Sequence, residues 1–499
     1  MQPVVSVATM RHSDAETIKK GTEGRELMYR AGLGVFKGYP WRGPVAIVCG
    51  SGNNGGDGYV LALLLHKNEI PCRLFLLSER FSQDGRFYFD ACVMAGIPYE
   101  ICGESPRFEE YEEIVDCILG TGFTGAVQGL VRSVIQAINQ SGKTVISVDI
   151  NSGLNGDNGN AELCVRSDWT FSIGFYKSGH FLNGAKDSIG KLRNLDIGIG
   201  LFGPSCKLAE MGDFAKVLKK RAENSHKGDY GYVSLLGGCT SYGGAVKLAN
   251  LSASALRAGC GVAQLIVPST LSTSVSPYLL ESTLALLPDK DGHALFSADA
   301  LDRALARQKA LAIGMGWGSS EENEKILSYI LQNHALSLVI DADGLNTLAR
   351  MDGELLKKTR CRVLLTPHLK EFERLSGSSM EKIRNSPIEC AEQYARQYGV
   401  CLLLKGPCTV ITDGEETILV NRGCAGMATA GSGDVLSGIL AGLLGYSPVS
   451  PLTAACGAYL AGLAGELAQG ASNPISMVAS DTVAKIGPAL SLMLEAQGD

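Results

Sequence analysis

The stretch Gly50-Ser51-Gly52-Asn53-Asn54-Gly55-Gly56-Asp57-Gly58 decides how the first half of the chain is read. It follows an apolar run, PVAIVC (44–49), and precedes YVLALLLH (59–66). The spacing Gly50-x-Gly52-x-x-Gly55 fits a strand, a glycine turn and a helix that receives a dinucleotide pyrophosphate at its N-terminus. The residues between the glycines argue against hydride transfer. Asn53 and Asn54 fill the middle, and Asp57 stands where phosphate charge would approach; a carboxylate there repels the anion while capping the helix itself. The loop is better suited to presenting amide oxygens and backbone N–H groups to a polar ligand or an ion. A turn shaped only for packing is the alternative.

Working outward, PCRLFLL (71–77), IVDCIL (114–119), KTVISVD (143–149) and DWTFSI (168–173) read with PVAIVC as buried strands. YVLALLLHK (59–67), RFYFDACVMAG (86–96) and GLVRSVIQAIN (129–139) read as the helices between them. This alternation predicts a mostly parallel sheet covered by helices on both faces. A leading helix over 13–32, capped by Ser13, is expected to bury Leu27 and Met28.

Two more loops end strands of the same sheet. Asp116 lies inside an apolar strand before Gly120-Thr121-Gly122-Phe123-Thr124-Gly125-Ala126, and Asp149 follows ISV, ahead of Asn151-Ser152-Gly153. In open α/β sheets ligands bind beyond the carboxyl ends of the strands, so the three loops are expected to share one crevice. Asn54, Asp116 and Ser152 would supply hard oxygen ligands, suited to an alkali or alkaline-earth cation. For each acid alone, a buried structural aspartate is the competing reading.

Composition narrows the classes. At 499 residues the chain calls for two or three domains, and 45% hydrophobic against 19% charged residues is a globular balance. A net charge of −6 gives no basic field for nucleic acid. The 15 cysteines are odd in number and never spaced Cys-x-x-Cys, which argues against a disulfide framework and predicts a reducing, cytoplasmic setting. The first residues lack the pattern of a signal peptide, and PLTAACGAYLAGLAGELAQ (451–469) reads as a buried helix, so no membrane partner is expected.

A join is expected near 201–224, containing a charged helical stretch, FAKVLKKRAEN (214–224). A second alternation follows, with strands in 231–238, 261–268, 282–288, 309–314, 336–343, 361–367 and 400–406. Helices are expected over 245–259, 321–334 and 434–444. The strongest motif here is Gly431-Ser432-Gly433-Asp434. Glycines at a helix start leave N–H groups free as an anion hole, and Asp434 is placed to take a proton from a hydroxyl attacking phosphorus; a merely structural cap is the competing reading. Lys405 and Thr409, flanking Gly406-Pro407-Cys408 after a buried strand, would face a nucleotide phosphate. Thr366-Pro367-His368 with Glu371, and Asp341 to Asn346, follow other strands. SGKT (141–144) is not a phosphate-binding loop of the Walker type, because Ala137 stands where glycine is required.

Taken together, GSGNNGGDGYVLA, DCILGTGFTGA and SVDINSGLNGDNG resemble the epimerase domain of the NAD(P)H-hydrate repair enzymes, over most of residues 1–210. HKGDYG (226–231), YGGA (242–245), IDADGLN (340–346), LLTPHLKEF (364–372), KGPCTVI (405–411) and GMATAGSGDVLSGILAG (426–442) resemble the dehydratase of the same family, over about 224–490. The resemblance implies a Rossmann-like three-layer α/β sandwich at 1–210 and a ribokinase-like doubly wound α/β domain at 211–499. It implies that Asn53, Asn54, Gly55, Gly56, Asp57, the loop Gly120 to Ala126, and Asp149 bind the hydrated dinucleotide, with potassium on Asn54, Asp116 and Ser152. In the second domain it implies substrate contacts from Ala245, Gly316, Gly318, His368 and Asp434, and nucleotide contacts from Lys405, Gly406, Pro407, Cys408, Thr409 and Gly433. Two stretches depart from the family pattern: Gly314-Met315-Gly316-Trp317-Gly318 for Gly-Pro-Gly-Leu-Gly, and Pro367-His368-Leu369-Lys370-Glu371 for Pro-His-Pro-Gly-Glu.

The implied chemistry is repair of hydrated NADH or NADPH, with ADP or ATP and magnesium as phosphate donor and a homo-oligomer as the expected assembly. Asp434 would be the base for phosphorylation of the C6 hydroxyl, after which phosphate is expelled; Asp149 would be the acid/base of R/S epimerisation. The rival readings are a ribokinase-like vitamin or sugar kinase with an added binding domain, and a non-catalytic nucleotide- or RNA-binding N-terminal half.

Overall fold

A computed structural model describes residues 1–253 and 256–497. The chain divides into two compact units, Pro3–Cys206 and the chain from Lys207 onward together with Met1–Gln2. The sequence reading places the boundary at 210/211.

In the first unit, β1 (Val45–Cys49), β2 (Cys72–Leu76), β3 (Tyr99–Ile101), β4 (Glu113–Cys117), β5 (Thr144–Val148), β6 (Ser167–Ile173) and β7 (Ile189–Leu195) form one sheet of order β3-β2-β1-β4-β5-β6-β7. Every pairing in it is parallel. Both faces are covered, which is why β1 reads as a continuous apolar run. Val45, Ile47 and Cys49 enter one hydrophobic cluster, while Ala46 and Val48 enter the cluster on the opposite face. The turn after β1 leads straight into α1 (Asn53–Lys67), with Gly52 as its N-cap and no side-chain cap bond. Asp57 therefore lies inside the helix and caps nothing.

The glycines of that turn separate into two kinds. A Cβ on Gly50 would stand 1.9 Å from the Ile118 carbonyl oxygen, and one on Gly55 would stand 2.2 Å from the Gly50 oxygen. Those two are required by strand–helix packing. A Cβ on Gly52 meets nothing within 4 Å.

The leading segment is two helices, Val7–Lys19 and Gly24–Gly38, not one. Ser6 is the N-cap of the first, accepting from Thr9 N, and Ser13 is buried within it. The break falls where Gly21 takes a φ of +107°. Leu27 and Met28 are buried as expected.

In the second unit the sheet runs β10-β9-β8-β11-β12-β13-β14-β15-β16. Its strands are β8 (Tyr232–Leu236), β9 (Val262–Pro268), β10 (Thr283–Leu287), β11 (Ala310–Ile313), β12 (Ser337–Ile340), β13 (Arg362–Leu365), β14 (Cys401–Leu404), β15 (Thr409–Thr412) and β16 (Thr417–Val420). β10 through β14 are parallel, and β15 and β16 close that end antiparallel. The expected helix over 245–259 is seen as Gly243–Ala253; residues 254 and 255 lie outside the described residues.

Helix α2 (Ser432–Leu444) packs against Gly243–Ala253 and against α3 (Pro451–Ala471). Small residues permit this approach: a Cβ on Gly457 would stand 2.5 Å from Leu440. Among the described residues no helix is long and apolar enough to cross a membrane. The stretch FAKVLKKRAEN forms only turns after a short 3-10 helix, Met211–Phe214. Its spacing mimics a helix because Phe214, Val217 and Leu218 are all buried while Lys216, Lys219 and Lys220 are exposed. All 15 cysteines are free thiols.

Candidate active sites

Beyond the carboxyl ends of β1, β4 and β5 lies a cavity of about 710 Å³. Its lining includes Asn53, Asn54, Asp57, Gly120 to Thr124 and Asp149, so the three loops do share one crevice. Gly125 and Ala126 lie outside that lining.

Asp149 is held from several sides. Its backbone takes a φ of +66°, uncommon for a residue with a side chain. The strain is sustained by a hydrogen bond from Asp149 N to Phe171 O at 2.7 Å. Lys177, fully buried, donates from Nζ to Asp149 Oδ1 at 2.5 Å and to the Ile173 carbonyl at 2.8 Å. Thr121 N donates to Asp149 Oδ2 at 3.1 Å. Burial alone would raise this carboxyl, but the Lys177 ammonium and the Thr121 N–H hold it below the usual carboxylate value. Lys177 N donates to His180 Nδ1 at 3.1 Å, which leaves the His180 Nε2 hydrogen for the Asp149 carbonyl at 2.9 Å. Burial and the neighbouring ammonium push that imidazole down to about 3, so it is neutral.

Two further carboxyls line the same cavity with the opposite tendency. Burial, with repulsion from Asp149, raises Asp57 well above its ordinary value, and burial raises Asp14 in the same way. Asp14, Lys177 and His180 are functional candidates that the sequence reading passed over. A single lysine and histidine inside FSIGFYKSGHF carry no periodicity to mark them.

The candidate cation ligands are adjacent but differ in how far they are used. Asn54 Nδ2 donates to Leu119 O at 3.1 Å, while its Oδ1 is buried without a partner. Asp116 accepts on both oxygens, from Ser147 Oγ and Ser152 N at 2.9 Å, Ser152 Oγ at 2.5 Å and Ile118 N at 3.2 Å. Ser152 Oγ in turn accepts from Leu119 N at 2.8 Å. Asp116 thus ties the Ser152 loop to the loop that holds Asn54.

In the second unit, α2 starts at Gly431 with a φ of +93°, and Asp434 stands in its first turn. Burial, together with the charge of Asp341, pushes the Asp434 carboxyl up to about 7, with Lys405 opposing the rise. Asp341, at the end of β12, is buried; its Oδ1 accepts from Lys405 Nζ at 2.8 Å and its Oδ2 from Ser437 Oγ at 2.6 Å. A Cβ on Gly433 would lie 3.6 Å from Lys405 Nζ and 3.7 Å from Asp341 Oδ2, so Lys405 and Asp341 meet the first turn of α2 beside Gly433.

The hairpin after β14 brings His368 beside Lys405 in a parallel bridge, with Lys405 N donating to Pro367 O at 2.8 Å. His368 caps the next helix: its Nδ1 accepts from Lys370 N and Glu371 N at 3.1 and 3.3 Å, and Glu371 Oε2 accepts from His368 N at 2.9 Å. Gly406 and Pro407 are exposed at the hairpin turn, whereas the Cys408 side chain is buried. Thr409 opens β15, opposite Val420.

Gly316 has a φ of +59°, and a Cβ there would collide with Tyr242 O at 2.5 Å and meet Ala245 Cβ at 2.9 Å. Gly318 N donates to Asp343 Oδ2 at 2.8 Å. The two departures in this loop, Met315 and Trp317, are buried side chains, and Lys370 is exposed. Met315 joins the hydrophobic core rather than the site.

The family model of NAD(P)H-hydrate dehydratases matches residues 233–488, and that of YjeF-related protein N-termini matches residues 24–179. A bifunctional NAD(P)H-hydrate repair enzyme of Moorella thermoacetica is 36% identical, covering 91% of this chain and 90% of its own. The enzyme of the same description from Escherichia coli is 32% identical over 91% of this chain and 87% of its own. Among solved structures, a ribokinase-like superfamily protein from Enterococcus faecalis shares the fold over 60% of this chain and 99% of its own, at a TM-score of 0.50 and 22% identity.

Proposed function

The chain belongs to the bifunctional NAD(P)H-hydrate repair enzymes, and from that premise we propose how its residues divide the work. The N-terminal domain epimerises hydrated NADH and NADPH, and the C-terminal domain is the ADP/ATP-dependent dehydratase. The observation that carries the residue assignment is Asp434, a recessed carboxyl with a pKa near 7 in the first turn of a glycine-led helix.

At neutral pH Asp434 is poised to accept the proton of the C6 hydroxyl of the S epimer as that oxygen attacks the terminal phosphorus of ADP or ATP. The N–H groups from Gly431 onward face the charge that develops on the phosphoryl oxygens, and Lys405 adds a fixed cation beside them. The ring-nitrogen lone pair then expels phosphate from C6, and loss of a proton from C5 restores the reduced nicotinamide. No three His, Cys, Asp or Glu among the described residues cluster as a metal site. Magnesium fits as an ion delivered on the nucleotide phosphates, where it neutralises their charge.

In the N-terminal cavity, Asp149 is held ionised and acts on the C6 hydroxyl or on returning water, while the nitrogen lone pair assists loss and return of the oxygen. The Asp57 carboxyl, raised by burial and by Asp149, faces the substrate from the same cavity. The orphaned Asn54 Oδ1 fits a potassium ion, with Asp116 and Ser152 completing the site. Asp116 contributes chiefly by anchoring Ser152, since its oxygens already take four donors. The bound cation would orient the substrate.

The test mixes both epimers with the purified chain, magnesium and ADP or ATP, and follows regain of reduced-nicotinamide absorbance. Complete conversion with release of phosphate is expected. Conversion that stalls once the S epimer is consumed would remove the N-terminal assignment, and a stable phosphorylated product would favour a kinase.

A further inference from the structure

The Asp341 carboxylate takes both of its side-chain partners from groups that frame Asp434, yet faces no solvent itself. It is buried, its two oxygens are taken by Lys405 Nζ and Ser437 Oγ, and Ser437 lies one turn beyond Asp434 on α2. The adjoining backbone is strained: Ala342 takes a φ of +47°. That turn also sends Asp343 back to the Gly318 N–H at 2.8 Å. The cost of burying this carboxylate is offset by its ion pair with Lys405 and its bond from Ser437, so removing it leaves the Lys405 ammonium without its partner.

We propose that Asp341 is the positioning residue of the dehydratase. It clamps Lys405 and the helix of Asp434 in one geometry and keeps a permanent negative charge beside that carboxyl. The inference rests on Asp434 acting as the base. The charged groups facing Asp434 are Asp341 at the end of β12, Asp343 on the next turn and Lys405 on the hairpin after β14. Glu371 reaches Lys405 at 3.9 Å, and His368 lies beside that pair. On the packed helix Gly243–Ala253, Lys247 is drawn away over the Tyr278 ring. Asp341 stays ionised because Lys405 and Ser437 oppose the effect of burial. Its charge disfavours a second anion at Asp434, so the base titrates near neutrality and returns its proton readily.

The experiment measures kcat/KM of dehydration against pH on the S epimer with ATP and magnesium, in the full chain. In Asp341→Asn the like charge is gone and Lys405 is freed toward Asp434. Both changes lower the pKa of the base, so the acid limb is expected to move about one unit to lower pH while kcat falls. An unmoved limb, or one moved to higher pH, would overturn the proposal. Ser437→Ala is the milder companion. It keeps both charges, so kcat is expected to fall about tenfold with KM for both substrates unchanged, by loss of orientation; an unchanged kcat overturns the clamp even if Asp341→Asn does not fold. Failure of the base itself is separable: Asp434→Asn with near-normal turnover sinks the parent assignment, whereas an inactive Asp434→Asn with an unshifted Asp341→Asn sinks only this one.

Discussion

The two units each recess a carboxyl beyond the end of a parallel strand, and set it to opposite protonation. Asp149 receives a buried ammonium and a backbone N–H, and is held below the usual carboxylate value. Asp434 keeps Lys405 at one remove, because Asp341 has taken that cation as its own hydrogen-bond partner. One aspartate is therefore a permanent anion, and the other gains and loses a proton near pH 7. Burial raises both carboxyls, and whether a cation bonds the acid directly or is claimed by its neighbour decides the direction in which each departs.

The sharpest way to break the comparison is to neutralise one acid at a time. Asp434→Asn is expected to cut dehydration of the S epimer by about two to four orders of magnitude and leave R/S interconversion intact. Absorbance of the regenerated cofactor and chromatography of the epimers read the two activities separately. Asp149→Asn is expected to do the reverse, with epimerisation falling about a hundredfold. A loss of both activities in either variant would mean the sites are not independent.

A smaller effect concerns what holds Asp149 charged. Lys177→Met leaves the carboxylate buried without its cation, and is expected to destabilise the N-terminal unit by about 3–5 kcal/mol in denaturant titration. An unchanged midpoint would show that solvent reaches Asp149 freely. At the small end, the glycines of the first loop divide by their surroundings. Gly55→Ala drives a methyl into the Gly50 carbonyl and is expected to cost about 1–3 kcal/mol. Gly52→Ala places its methyl in open space and is expected to leave stability unchanged while raising the epimerase KM.

Much of this was legible in the sequence. Apolar runs ending in Asn, Asp and Gly mark strand ends, and strand ends of a parallel sheet must meet at one edge, which placed Asn54, Gly120 and Asp149 together. Local pattern failed where contacts across the fold decide the outcome. Lys177 and His180 come from a stretch with no polar periodicity, and only the folded chain brings them under Asp149. Asp341 stood in plain view in IDADGLN, but nothing in its neighbours announces a bond to Ser437, nearly a hundred positions on. Phe214, Val217 and Leu218 carried helical spacing without a helix, since burying three side chains fixes their direction and not the hydrogen-bond ladder. Cys408 sat within a motif expected to touch nucleotide, and its side chain went to the interior.

The account is tested most directly by measuring both activities against pH on one preparation of the intact enzyme. Asp434 has a raised pKa, so its basic form is lost as pH falls through about 7, and dehydration is expected to decline there. Asp149 has a lowered pKa, so its carboxylate persists to lower pH than an ordinary aspartate's, and epimerisation is expected to show no acid limb where dehydration declines. Acid limbs that coincide for the two reactions would contradict the account.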